Sequence, residues 1–201
     1  MTAKVLKFKL DGPMGLDSQE LQTENTALKA TIKELRDRIE ELEKLADSDT
    51  LTPLPNRRFF LRELERVAKQ VARYGTPAAL LFVDVDGLKA INDAHGHGAG
   101  DDALIHVARL LRDQVRGGDI VARIGGDEFG LLLDRADEAA AREKAAALCA
   151  LVARSPAPGA IAVTISIGIA ALCGEDDHHS LLARADGAMY AAKRAQPRSD
   201  R

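Results

Sequence analysis

The stretch Ile120-Val121-Ala122-Arg123-Ile124-Gly125-Gly126-Asp127-Glu128-Phe129-Gly130-Leu131-Leu132-Leu133 sets two apolar runs around a short centre rich in glycine and acid. Apolar segments of strand length on either side of a glycine-bearing turn predict a β-hairpin. The turn offers two adjacent carboxylates, Asp127 and Glu128, which can hold a divalent cation or take a proton. Gly125 and Gly126 leave the backbone bare enough for a bulky polyanion to come close.

Upstream, Ala78 to Val85 is a continuous apolar run of strand length, suited to a central strand buried on both faces. It ends in Phe82-Val83-Asp84-Val85-Asp86-Gly87, where the acids alternate with valines and so share one face. Two carboxylates on one side of a buried strand end call for a cation, although Asp86 also reads as a cap for the helix that follows. Asp84 and Asp127 are expected to converge on Mg²⁺, which takes a few hard oxygens together with substrate phosphates. The other elements read from the pattern are a helix capped by Asn56 and ending at Tyr74-Gly75, helices near 87–94 and 99–115, an alanine-rich helix near 135–153, a loop at 155–159, a strand from Val163 to Ala171 and a helix over 178–195. The order is not a regular βαβ alternation, so the expected class is α+β, with helices layered on a sheet.

Residues 20–48 contain no glycine or proline, and leucine recurs at the heptad step as Leu21, Leu28, Leu35 and Leu42. With these at d, Asn25, Ile32 and Ile39 fall at a. Ile at a with Leu at d favours two parallel strands, and one Asn at a fixes register. Glu24 facing the partner's Lys29, and Arg38 facing the partner's Glu43, suit a parallel homodimer. A DNA-binding zipper needs a basic stretch just upstream, and residues 11–20 hold no Lys or Arg. Residues 1–19 read as a tail in which residues 5–10 could form a brief strand.

The formal net charge of −3 argues against a general nucleic-acid surface. Cys149 and Cys173 form no CxxC pair, which suits a reducing compartment. No apolar stretch reaches bilayer length and no signal peptide is visible, so a soluble, cytoplasmic protein without membrane insertion is expected. The glycines of His95-Gly96-His97-Gly98-Ala99-Gly100-Asp101 follow a short helix rather than a strand, so they fail the context of a dinucleotide loop. The two histidines have no third ligand at convincing spacing.

Besides Gly125–Phe129 of the hairpin, five ordered segments resemble the GGDEF-domain diguanylate cyclases over residues 49–195: 49–58, 84–93, 95–101 and, towards the C-terminus, Thr164-Ile165-Ser166-Ile167-Gly168 and 185–193. The resemblance implies a ferredoxin-like, palm-type nucleotidyl cyclase domain over 49–197, with a mostly antiparallel sheet flanked by helices, behind the coiled coil and ahead of a short tail at 198–201. It implies condensation of two GTP into cyclic di-GMP with loss of two pyrophosphates. Asp84, the carbonyl of Val85 and Asp127 would hold two Mg²⁺ per active site. Glu128 would serve as general base or further metal ligand. Lys89 and Lys193 match positions that meet phosphates, Lys89 among the catalytic set. Asn92 and Asp101 match the guanine-reading pair, and Gly125 and Gly126 border the substrate. Arg116 and Asp119 match an RxxD site for inhibition by the product. The sequence departs from the family at Pro53, at Leu88 and in Gln196-Pro197-Arg198, where the phosphate-binding Arg is missing or shifted to Arg198. A regulatory protein partner is compatible with this layout. The alternative is a catalytically silent module that senses GTP or cyclic di-GMP.

Overall fold

The computed structural model describes residues 18–173 and 178–195; the expectations for residues 5–10 and for Arg198 lie outside them. The chain divides into two units, Met1–Ala46 and Asp47–Arg201.

Helix α1 (Ser18–Asp47) supplies the described part of the first unit. Its heptad residues Leu21, Leu28, Ile32, Leu35, Ile39 and Leu42 are 50–57% exposed. The stripe keeps the heptad spacing expected of a coiled-coil seam.

The second unit opens at Asp47, the last residue of α1. Its carboxylate accepts from Arg58 and Arg62 of helix α2 (Arg57–Tyr74), with closest approaches of 2.9 and 2.6 Å. The hydrogen bonds from Arg62 and Arg58 hold the Asp47 carboxyl below its usual range despite its burial. Asn56 caps α2, its side chain accepting from the Phe59 amide at 3.1 Å, and Gly75 closes the helix in the left-handed region at φ 67.

The sheet holds β1 (Ala78–Val85), β2 (Ile120–Arg123), β3 (Glu128–Asp134) and β4 (Ile165–Ala171) in the order β2-β3-β1-β4, every pair antiparallel. Between the strands run α3 (Leu88–His95), α4 (His97–Asp113) and α5 (Glu138–Arg154), and α6 (His178–Ala195) follows β4. This βαββαβ order is the ferredoxin-like topology. β1 is buried along its whole length, as its unbroken apolar run requires of a strand with neighbours on both sides.

Strand alternation divides the core. Leu81, Val83, Phe129 and Leu131 face α3, α4 and α5, through Ile91, Leu104, Val107 and Leu148. Leu80, Phe82 and Leu132 face α2 and α6, through Phe60, Leu64, Leu181 and Met189. Two glycines permit the second layer to close. A Cβ on Gly168 would lie 2.0 Å from the Ala185 carbonyl, and one on Gly130 would lie 2.4 Å from the Phe60 ring. Asp84 has the parity of Leu80 and Phe82, so it stands on the α2/α6 side.

Candidate active site

The acids gather at one end of the sheet because of register. Asp84 on β1 is the cross-strand partner of Glu128 on β3 and of Ser166 on β4. Glu128 therefore belongs to the strand, and the turn proper is Ile124–Asp127. The Val85 amide donates to the Asp127 carbonyl at 3.0 Å, which ties the turn to the end of β1.

The acids have distinct surroundings. Asp84 is 8% exposed and accepts from Lys193 of α6 at 2.5 Å. Burial pushes its carboxyl above the usual carboxylate range against the pull of Lys193, and the negative Asp127 and Asp86 add to the rise. Glu128 is also raised, first by burial and then by Asp127, Asp84 and Asp186, with Arg57 opposing. Asp86 does not cap α3. The N-cap of α3 is Gly87, at φ 69, and no side chain bonds there. Asp86 instead accepts from Thr164 at 2.8 Å and from Ser166 at 2.7 Å, so it fastens β4 beside the site.

The two glycines of the turn differ. A Cβ on Gly125 would fall 2.1 Å from Glu128 Oε2, whereas one on Gly126 would meet nothing within 4 Å. Gly125 makes room for the chain's own Glu128 carboxylate, whereas the Cβ side of Gly126 is open.

On the other side of β1, Asn92 of α3 lies over Gly100 of α4, where a Cβ would come 2.0 Å from Asn92 Oδ1. That oxygen is buried with no hydrogen-bond partner. An unsatisfied buried amide oxygen is costly, and a donor arriving from outside would relieve it. Asp101 follows Gly100 and is exposed, as is Lys89 in the first turn of α3. A cavity of about 270 Å³ beside Glu128 is lined by Arg57, Phe82, Leu182 and Asp186, among others, and does not reach the Asn92 corner.

Arg116 and Asp119 lie at the far end of the hairpin. Asp119 accepts from the Arg116 amide and from the Asp134 amide, both at 3.1 Å, so its carboxylate also pins the 116–119 turn to the end of β3. A groove of about 550 Å³ opens beside it, with Arg66 and Arg135 on its wall.

Among the described residues no three acidic, His or Cys side chains form a closed metal cage. The donor set available to a hard cation is Asp84, the carbonyl of Val85 and Asp127. It would leave a hard cation's remaining positions open, and a cation there would offset the burial and the neighbouring negative charge that raise Asp84 and Glu128.

Motif reading passed over Asp49 and Arg123 as site residues. Arg123 donates to the Gly126 carbonyl through Nε at 3.2 Å and Nη2 at 2.6 Å, and through Nη1 to Asp49 at 3.2 Å. A charge closing an otherwise apolar strand was the visible signal.

Residues 46–199 match the family model described as diguanylate cyclase, GGDEF domain. The chain is 44% identical over 162 residues to the bifunctional diguanylate cyclase/cyclic di-GMP phosphodiesterase MucR of Pseudomonas aeruginosa, covering 76% of this chain and 23% of MucR. It is 38% identical over 179 residues to the diguanylate cyclase DosC of Escherichia coli, covering 87% of this chain and 39% of DosC. The chain thus spans well under half the length of these relatives. Its fold is similar to the coiled coil and GGDEF domain of DgcB from Caulobacter crescentus, solved in complex with c-di-GMP, with a TM-score of 0.75 at 30% identity over 87% of this chain and 94% of that one.

Proposed function

The chain belongs to the GGDEF-domain diguanylate cyclase family, and from that premise we propose that it condenses two GTP into cyclic di-GMP in the cytoplasm, as a Mg²⁺-dependent homodimer inhibited by its product. The observation that carries this reading is the pairing of Asp84 with Glu128 across β1 and β3, with the Asp127 carbonyl bound to the Val85 amide. It assembles three acids from two distant stretches of chain at one end of the sheet.

In the reaction each ribose 3′-oxygen attacks the α-phosphorus of the other GTP. A P–O bond forms, the bond to the β-phosphate bridge breaks, and pyrophosphate leaves from each nucleotide. Asp84, the Val85 carbonyl and Asp127 would hold Mg²⁺, two ions per active site, which when bound neutralises phosphate charge. Glu128 takes the 3′-proton. Its raised pKa brings it nearer to neutrality than an ordinary carboxyl, which suits a general base. Asn92 and Asp101 read the guanine edge: a carboxylate accepts from N1–H and N2–H₂ together, a donor pair that adenine lacks. Lys89 and Lys193 meet phosphates, and Gly126 leaves the turn open to them.

One domain binds one GTP, so two must face each other. The exposed stripe from Leu21 to Leu42, with Asn25 at a, supports a parallel coiled coil over residues 20–48 that supplies the second copy by raising effective concentration. The product would be held by Arg116, whose guanidinium can fork to phosphate, and by Asp119, which can accept from guanine, at the edge of the neighbouring groove.

The test is the purified chain with GTP and Mg²⁺, its nucleotides separated by chromatography. Cyclic di-GMP and pyrophosphate are expected, with no product from ATP. Absence of a cyclic dinucleotide at a concentration that supports dimers would leave a silent nucleotide-sensing module.

A further inference from the structure

We propose that Arg123 is a positioning residue for Asp127, and that Asp49 orients Arg123 for that task. The inference rests on the reading above, in which Asp127 is a metal ligand.

The guanidinium of Arg123 uses two of its nitrogens on one acceptor, the Gly126 carbonyl, which is the first half of the peptide group leading into Asp127. A third nitrogen meets Asp49. Both side chains are largely removed from water, at 14% and 16% exposed, so the pair is not a solvated surface contact. Asp49 is itself fixed. Its Oδ1 accepts from the Thr52 amide and the Thr52 hydroxyl, each at 2.7 Å, and from the Leu51 amide at 3.2 Å.

Pro55 and the first residue of α2 grip the hairpin at further points. The Arg123 amide donates to the Pro55 carbonyl at 2.9 Å, and Arg57 donates to the Ile124 carbonyl at 3.0 Å. On its other flank the turn is held by the bond from the Val85 amide to the Asp127 carbonyl. The peptide that presents Asp127 is therefore fixed from both sides, and the Arg123 fork is the side-chain half of that clamp. Planarity makes the fork specific to Arg: an ammonium is a point charge and cannot reach both Gly126 and Asp49 in fixed geometry. A shift of a metal ligand by a fraction of an ångström is enough to lower turnover without altering guanine binding, which lies elsewhere.

The experiment compares wild type with Arg123→Gln, Arg123→Lys, Asp49→Asn and the double variant Asp49→Asn/Arg123→Gln. Amide hydrogen exchange at Val85, which donates to Asp127, and at Ile124, which donates to Glu128 across the turn, is expected to quicken about tenfold or more in Arg123→Gln, with Leu81 in mid-strand unchanged. In the cyclase assay kcat is expected to fall between about ten- and a hundredfold with the KM for GTP within about twofold. Arg123→Lys should fall between the two, and Asp49→Asn should add nothing once Arg123 is gone. Unchanged exchange at Val85 and Ile124 in Arg123→Gln overturns the proposal whatever the activity, and so does an active wild type whose kcat survives the change. If Arg123→Gln does not fold, Arg123→Lys carries the same two measurements. A wild type inactive towards GTP overturns the cyclase reading alone, because the exchange comparison still decides the role of Arg123.

Discussion

Lys193, near the end of α6, donates to Asp84, near the end of β1, at 2.5 Å. The carboxylate proposed to hold a metal already has a cation beside it, and the lysine proposed to meet phosphate is already engaged. On the proposed reading metal and lysine would compete for Asp84, and Mg²⁺ and GTP bound there would free the ammonium for the phosphates. Lys193→Met is expected to lower the half-saturating Mg²⁺ concentration while raising the KM for GTP, the latter by about tenfold. Asp84→Asn and Asp127→Asn should each reduce turnover more than about a hundredfold. Initial rates across a Mg²⁺ titration check all three, and a Lys193→Met enzyme needing more Mg²⁺ than wild type contradicts the competition.

Glu128 carries a pH signature. Its folded pKa lies above the ordinary 4.5, chiefly through burial. A carboxyl raised on folding contributes stability that is fully present below its unfolded pKa and is lost as pH rises through the folded one. At neutral pH the ionised group is thus a burden on the metal-free domain. Glu128→Gln is expected to raise the Tm at pH 7, to leave it near wild type below about pH 4, and to suppress turnover. Thermal melts at several pH values without metal check the sign.

Gly125 and Gly126 should not be equivalent. Gly125→Ala drives a Cβ against Glu128 Oε2 and must displace that carboxylate, so kcat should fall about tenfold or more. Gly126→Ala enters open space and should leave the Tm unchanged. Circular-dichroism melts and steady-state rates on both variants separate the two roles.

The heptad stripe predicts a dependence on concentration. Leu35→Lys places a charge at a d position and should convert dimer to monomer in sedimentation. Specific activity should then fall on dilution over a range in which wild type holds steady. A Leu35→Lys protein that stays dimeric shows that another surface brings the copies together.

Inhibition by product should separate Arg116 from Asp119. Arg116→Ala should lose inhibition by added cyclic di-GMP while keeping uninhibited turnover within about threefold. Asp119→Ala should lose inhibition and also lower the Tm, because its carboxylate holds the Arg116 and Asp134 amides. Equal inhibition of wild type and Arg116→Ala removes the site from this face.

Much of this was legible from local pattern. The apolar run over residues 78–85 is a fully buried strand, Asn56 caps its helix through the Phe59 amide, and the hairpin stands where its glycines put it. Such features depend on neighbours within a few residues, which a linear pattern displays. The order of five motifs likewise sufficed for the family.

The partners of polar side chains were not legible. Asp84 and Asp86 look alike in sequence, yet one meets Lys193 from 109 residues away and the other meets Thr164 and Ser166. Gly125 and Gly126 look alike too, but only the strand register puts Glu128 over the first. Sequence by itself determined which residue types stand at each strand end and turn, because propensity and burial act locally. Tertiary structure alone decided which partner each acid meets, how burial shifts the proton affinity of Asp84 and Glu128, and that Arg123 bonds the turn, because long-range register and packing bring those groups within hydrogen-bond reach.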